Sequence, residues 1–405
     1  MSTLTQTISF TSEEYKQNPY PTYDRVREIS PVFKLGEGIW LITKYSIIKS
    51  ALRDDRSFGK TFKENVIKRY GEAYFEQPIF QTINRFMLGK NAPDHTHYRK
   101  LINPAFTIPV IEKLRPRIEK SIDDAISQFA NAGEADLIKD FAHPLPLKVI
   151  FDLMNIPDKM RNEFLHEETI SVAKTIEMKP LSKEELEEAN QAVFSFEAFF
   201  KDTLEERKKN PGDDLISLLL QPNEKGERLK DEEVLANIIF LFIAGHDTTV
   251  SLIGNGLNAL LNNPEQLKTL RDGEVSIQAI VEEILRYDTP VQSIIRNVMN
   301  DIELEGFSFK KGEMLFLSLG AANRDPEMYQ HPNEFNPKRN HPAHLSFGGG
   351  QHFCIGAYLS RLETEVAITK LLERIPRLKD QSNIKSEVWR SFLAFRGLQE
   401  FGVKW

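Results

Sequence analysis

Between Asp231 and Asn263 the sequence runs for about 30 residues without a proline, and Pro264 ends the run. Asp231 reads as an N-cap, and the apolar stretch Val234-Leu235-Ala236-Asn237-Ile238-Ile239-Phe240-Leu241-Phe242-Ile243 carries a helix on from it. At 1.5 Å per residue such a helix is roughly 45 Å long, enough to cross the whole molecule. Its middle abandons apolar residues for Ala244-Gly245-His246-Asp247-Thr248-Thr249. An interior glycine costs about 1 kcal/mol relative to alanine, and threonine can bond back to a carbonyl and bend the axis. Gly245 by itself reads as a close-packing contact, and His246 as structural. An acid beside an alcohol in that setting predicts an opening that something needs.

The only cysteine among 405 residues sits in Phe347-Gly348-Gly349-Gly350-Gln351-His352-Phe353-Cys354-Ile355-Gly356. Gly348 to Gly350 tolerate positive φ, so the backbone can turn tightly and bring amide groups near the sulfur. A helical pattern starts at Ala357, placing the positive end of a helix dipole beside Cys354. Both effects favour a thiolate. A lone cysteine is ordinarily a small buried hydrophobe. These neighbours describe a metal ligand instead.

The order Phe347, two residues, Gly350, three residues, Cys354, one residue, Gly356 resembles the haem-binding loop of the cytochromes P450. Ala-Gly-His-Asp-Thr-Thr is similar to the distal-helix motif of that family, with Asp in place of the commoner Glu. The resemblance extends through most of the chain. It implies one mainly α domain with small β-sheets over residues 1–405, a long helix crossing a haem b held between helices, and no fused reductase.

The resemblance also assigns residues. Cys354 becomes the axial iron ligand, with Phe347, Gly348 and Gly356 shaping its loop and Ala244 and Gly245 facing the cofactor. His95 and Arg99, one turn apart after Pro93, join Arg296 and His352 as partners for the haem propionates. Arg suits that role because its planar fork matches a carboxylate. Asp247 relays protons and Thr248 orients water at the oxygen being activated. Glu283 and Arg286 match the family's Glu-x-x-Arg motif. With Arg339 they support the haem loop, although spacing alone would describe an exposed pair of about 0.2–0.5 kcal/mol.

Substrate contacts are expected from Phe86, Met87, Ala244, Val291, Ile294, Phe392 and Leu393, the last two in a stretch similar to the family's final sheet. Residues 57–92 form a long, partly helical connection roofing the chamber, and a region near 160–195 forms a lid. Val32 to Leu35 and Ile39 to Thr43 flank Gly36-Glu37-Gly38 as a small hairpin.

With 52 Lys and Arg against 59 Asp and Glu, the net charge of −7 argues against a nucleic-acid partner. A single cysteine closes no intramolecular disulfide, and the N-terminus lacks a basic-then-apolar signal pattern. A cytoplasmic monooxygenase is expected, receiving two electrons from a ferredoxin and its reductase, or from a flavodoxin. Lys100 and Arg361 are candidates for a basic docking patch. The substrate is an apolar terpenoid, steroid, fatty acid or polyketide. A peroxide-driven hydroxylase would use the same loop. A non-catalytic haem-thiolate sensor would need neither the acid and alcohol nor a deep apolar chamber.

Overall fold

The predicted long helix spans Asp231–Leu261 in the computed structural model, which describes residues 8–161, 165–176, 180–222, 226–340, 343–390 and 393–405. Its start differs from expectation by one residue. Lys230 occupies the cap position, because Glu233 reaches back to accept the Lys230 backbone N–H at 2.9 Å. Asp231, Glu232 and Glu233 then fill the first turn, where carboxylates meet the positive end of the dipole. By length and composition the helix could cross a membrane, but 78% of its most apolar window is buried inside the protein. It is a core helix.

Other helices pack around it. Pro144–Leu153 lies against its middle, and Ile277–Tyr287 and Ala357–Arg374 against its second half. Gly256 permits that second contact: a Cβ there would stand 2.8 Å from Ile284 and 3.4 Å from Ile368, one on each neighbouring helix. The apolar side chains of these helices merge into one core.

The small sheets lie beside this helical body. The predicted hairpin forms from Val32–Gly36 and Ile39–Ile42, paired antiparallel. Ile39–Ile42 continues parallel to Met314–Ser318, which pairs antiparallel with Ser293–Val298, and Phe58–Gly59 closes the far edge. The order brings the strand carrying Arg296 next to the segment that enters the 57–92 connection. A second sheet joins Glu134–Asp136, Leu398–Lys404 and Ile384–Trp389. Phe395 makes an isolated bridge to Val291, so residues 393–397 are a connection leading into the final strand.

Glu283 and Arg286 are the pair that spacing alone would have left on the surface. Their side chains are 1% and 0% exposed. Arg286 Nε and Nη2 each donate to Glu283 at 2.8 Å, and Arg339 Nε donates to the same carboxylate at 3.2 Å. Arg286 also donates to the carbonyls of Asn323, Pro332 and Glu334. From Asn323 the network continues to the backbone N–H of Leu345 (2.7 Å) and to Ser346 Oγ (2.8 Å), immediately before the glycine-rich loop.

Removing one partner of a buried ion pair leaves the other uncompensated, at a cost of about 3–5 kcal/mol. Glu283→Ala is therefore expected to lower the unfolding free energy by about that amount. Denaturant titration measures it, and a loss under about 1 kcal/mol would contradict the role given to the pair.

Candidate functional site

The loop from Phe347 to Gly356 is closed by a hydrogen bond from the Cys354 backbone N–H to Phe347 O at 2.9 Å. Gly348 and Gly350 take φ of 70° and 63°, as expected of residues without a Cβ. At Gly350 the requirement is also steric, since a Cβ would stand 2.0 Å from Leu52 O. The turn aims Cys354 into a cavity of about 440 Å³, so the cysteine's accessible surface faces the chamber. Burial pushes its thiol pKa up. A backbone hydrogen bond from Gly356 and the charges of Arg99 and Arg361 oppose this without overcoming it. The thiolate expected from the loop amides and the helix dipole therefore needs a cation at the sulfur.

The central helix faces the sulfur across the chamber, exposing Ala244, Gly245, Asp247, Thr248 and Thr249 to it. Thr248 Oγ1 donates to Ala244 O at 2.6 Å, the back-bonding expected of threonine inside a helix. Asp247 forms an ion pair with Arg390, beyond the end of the strand Ile384–Trp389. Gly245 serves packing as well as space, because a Cβ would press on Ile150 at 3.1 Å. His246 turns away, its Nε2 3.1 Å from His143 O, in agreement with a structural reading.

At one side of the chamber basic side chains gather. His95 and Arg99 come from the helix Asp94–Ile102, Arg296 from the strand Ser293–Val298, and His352 from the loop. The rings of His95 and His352 lie 4.0 Å apart. Burial and the surrounding positive charges lower the His95 pKa to about 4 and that of His352 to about 2, so both imidazoles are neutral at pH 7. Burial lowers Arg296 to about 10, opposed by Asp55. No carboxylate forms an ion pair with Arg99 or Arg296 among the described residues, and neither ring nitrogen of buried His95 has a hydrogen-bond partner at normal geometry.

Also among the described residues, no group of three His, Cys, Asp or Glu side chains could hold a metal ion. An ion at Cys354 would need its remaining ligands from a macrocycle. A flat, apolar, doubly anionic porphyrin fits this donor set.

The cytochrome P450 family model matches residues 11–273 and 276–388. The chain belongs to the cytochrome P450 family. It is 36% identical over 400 residues to cytochrome P450 107B1 of Saccharopolyspora erythraea, covering 97% of this chain and 96% of that one. It is equally identical over 405 residues to the biotin biosynthesis cytochrome P450 of Bacillus subtilis, covering 99% of each. The solved structure of P450BioI in complex with hexadec-9Z-enoic acid ligated acyl carrier protein superposes with a TM-score of 0.89 at 36% identity, covering 97% of this chain and all of that one. The protein is thus a monooxygenase, an oxidoreductase of the hydroxylating kind. Haem-thiolate chemistry is that of its family.

Most residues named from the sequence meet in the P450 chamber. Phe86, Met87, Val291 and Ile294 line it, as do Phe62, Val66, Phe80 and Ile83 from the 57–92 connection. Leu393 does not. It lines a second cavity of about 420 Å³ with Phe10, Tyr15 and Tyr23, while its neighbours Ala394 and Phe395 face the chamber. Phe395 is held by its bridge to Val291, and the chain bends at Leu393 and Ala394 just before it, which turns Leu393 away from the chamber. Phe392 lies outside the described residues, as do parts of the expected lid. Within the lid region, Ala173 and Thr175 reach the chamber. Arg361, the other docking candidate, ion-pairs with Glu282 and lies over the Phe347 ring, 4.5 Å from its centroid. Lys100 is exposed.

Three chamber features carried no readable signal. Lys60 enters from the edge of the sheet, and Arg390 is the partner of Asp247. Glu363 lies in the helix after the cysteine, where burial pushes its carboxyl up to about 8 and holds it protonated at neutral pH.

Glu282 ties the loop's flank together through His344 (3.1 Å) and Arg361. Partial burial raises its carboxyl, but these partners outweigh that and hold it at about 2 instead of 4.5. A carboxyl depressed in the folded state stabilises fully above its unfolded pKa and loses that contribution as pH falls through the folded one. Glu282→Gln is expected to flatten the fall in stability between about pH 4.5 and 2. Denaturation midpoints at pH 5.5 and 3.5, about the usual carboxyl range, measure this. Equal slopes for variant and wild type would refute it.

Proposed function

We propose that this P450 inserts one atom of dioxygen into an apolar organic substrate, a terpenoid, steroid, fatty acid or polyketide, using two electrons from a ferredoxin and its reductase or from a flavodoxin. One observation carries the reading: Cys354 and the Asp247–Thr248 pair face one apolar chamber from opposite walls, with the cation cluster at its side. Haem b, when bound, supplies dioxygen binding and its reductive activation.

The chain's own residues then have separate tasks. Cys354 would give its sulfur to the haem iron. Arg99 and Arg296 would hold the carboxylates of the porphyrin, and neutral His95 and His352 would each offer one N–H donor to them. Thr248 donates its hydroxyl proton to Ala244 O, which leaves its oxygen as an acceptor able to fix a water. Asp247 bridges the chamber and Arg390; leaving Arg390, its carboxylate can carry a proton from that side toward Thr248. Phe80, Phe86, Phe240 and Ile294 exclude water and orient an apolar substrate.

Relatives support this substrate class. One is named a polyketide biosynthesis P450 and another a vitamin D(3) 25-hydroxylase. The complete Asp247–Thr248 pair of acid and alcohol favours dioxygen over a peroxide-driven reaction.

The purified, reduced protein should show the shifted carbon monoxide absorption band of thiolate-bound haem. Its absence would end this proposal. In the reconstituted enzyme, Thr248→Ala should cut product formed per NAD(P)H consumed several-fold while peroxide release rises. Asp247→Asn should slow turnover by about 10²-fold. Undiminished coupling in Thr248→Ala would remove the hydroxyl from its role. For the electron donor, Lys100→Glu should slow reduction by ferredoxin at low salt and much less at high salt, where charges are screened. Equal rates at both would take Lys100 out of the docking surface.

A further inference from the structure

Lys60 lines the chamber and forms no ion pair among the described residues. It directly follows the edge strand Phe58–Gly59, and its backbone is held twice by one side chain: Lys60 N–H donates to Asn91 Oδ1 at 2.8 Å, and Asn91 Nδ2 donates to Lys60 O at 2.7 Å. Gly59 allows that approach, because a Cβ there would stand 2.9 Å from Asn91 Oδ1 and from Met299 Sδ. The chain is thus built to deliver this side chain inward. Its ammonium donates to Ile295 O at 2.9 Å, and Arg296 Nη1 donates to the same carbonyl at 3.1 Å. Two cations sharing one neutral acceptor repel each other, and no carboxylate among the described residues forms an ion pair with Lys60. An ammonium has three donors, and only one is engaged.

The charge count gives the missing partner its chemistry. Arg99, Arg296 and Lys60 are three basic groups opposed by Asp55 at Arg296 and by the Cys354 sulfur at Arg99, an excess of positive charge when all three are protonated. A ligand bearing two carboxylates neutralises that excess.

We propose that Lys60 binds a carboxylate of the porphyrin, sharing it with Arg296 across the Ile295 carbonyl. The assignment rests on the haem-thiolate reading above and adds a cation from the sheet edge that no motif marks. Lys60 is thereby a cofactor-binding residue, and its charge is part of what retains the group.

The test uses the intact holoenzyme. Haem transfer to excess apomyoglobin is followed by absorbance for wild type, Lys60→Met and Lys60→Arg. A charge-assisted hydrogen bond lost from a shielded site predicts transfer on the order of tenfold faster in Lys60→Met. Lys60→Arg should restore slow transfer, and the midpoint potential of Lys60→Met should move to more negative values. A wild-type transfer rate in Lys60→Met overturns the proposal. So does a variant that keeps its haem but binds a fatty acid weakly and the fatty acid's methyl ester normally, because that result gives Lys60 to a substrate carboxylate. If Lys60→Met does not fold, judged by circular dichroism, the same rates in Lys60→Gln decide. A wild-type protein without the thiolate band fails the earlier reading instead, so the two failures are distinguishable.

Discussion

Arg286 is buried with all five of its N–H groups satisfied, two by Glu283 and three by the carbonyls of Asn323, Pro332 and Glu334. An ion pair in an apolar interior is costly to form and contributes little net stability when compared with hydrophobic replacements. What it can supply is position. Asn323, held by its carbonyl, uses both ends of its side chain to fix Leu345 and Ser346, and Ser346 Oγ donates onward to Leu285 O on the same helix as the pair. The segment entering the cysteine loop is therefore tied to a rigid helix within a few bonds of the buried charge. Displacing a metal ligand by a fraction of an ångström changes its bond, so a lock of this kind belongs beneath it.

The opposite wall of the chamber obeys a different constraint. The central helix has to be continuous to reach across the core, yet it must present polar groups at its midpoint. The conflict is resolved locally. Thr248 satisfies its hydroxyl on Ala244 O, Asp247 takes Arg390 as its partner, and His246 directs its ring to His143 on the far side. Each polar group thus has an answer in the fold, and the helix keeps its length. At the midpoint the Thr248 oxygen keeps acceptor capacity toward the chamber, which is where a reaction requires it.

Much of this was legible in the sequence because the features concerned are local. Glycines around a single cysteine, an acid and an alcohol inside an apolar helix, and a Glu-x-x-Arg spacing all survive without three-dimensional context. The burial of Glu283 and Arg286 was not legible from spacing, since an i,i+3 pair reads identically on a wet surface and in a core. Leu393 was misplaced because the chain bends at 393–394 before Phe395 bridges to Val291, and where such a bend seats is a property of two distant segments. Lys60 and Arg390 were invisible for the same reason. Each is an ordinary basic residue until the sheet edge or the last sheet carries it to its partner. The pairing of Arg361 with Glu282, 79 positions away, was equally out of reach of the sequence.

Burying positive charge without compensation has a thermodynamic consequence for the whole protein. An isolated ion moved into a low-dielectric interior costs several kcal/mol even after relaxation. Lys60 lies where burial and the Arg296 charge together drive its pKa well below the ordinary lysine value, and burial lowers Arg99 and Arg296 as well. Without a dianion the cheapest response is to lose a proton or to admit water, and both loosen the wall that these residues build. A ligand that binds the folded state alone stabilises it by mass action, so part of the free energy of cofactor binding becomes free energy of folding. The cations that hold the carboxylates and the helices that hold the cations are then one cooperative unit, and the chamber's shape depends on the charge placed inside it.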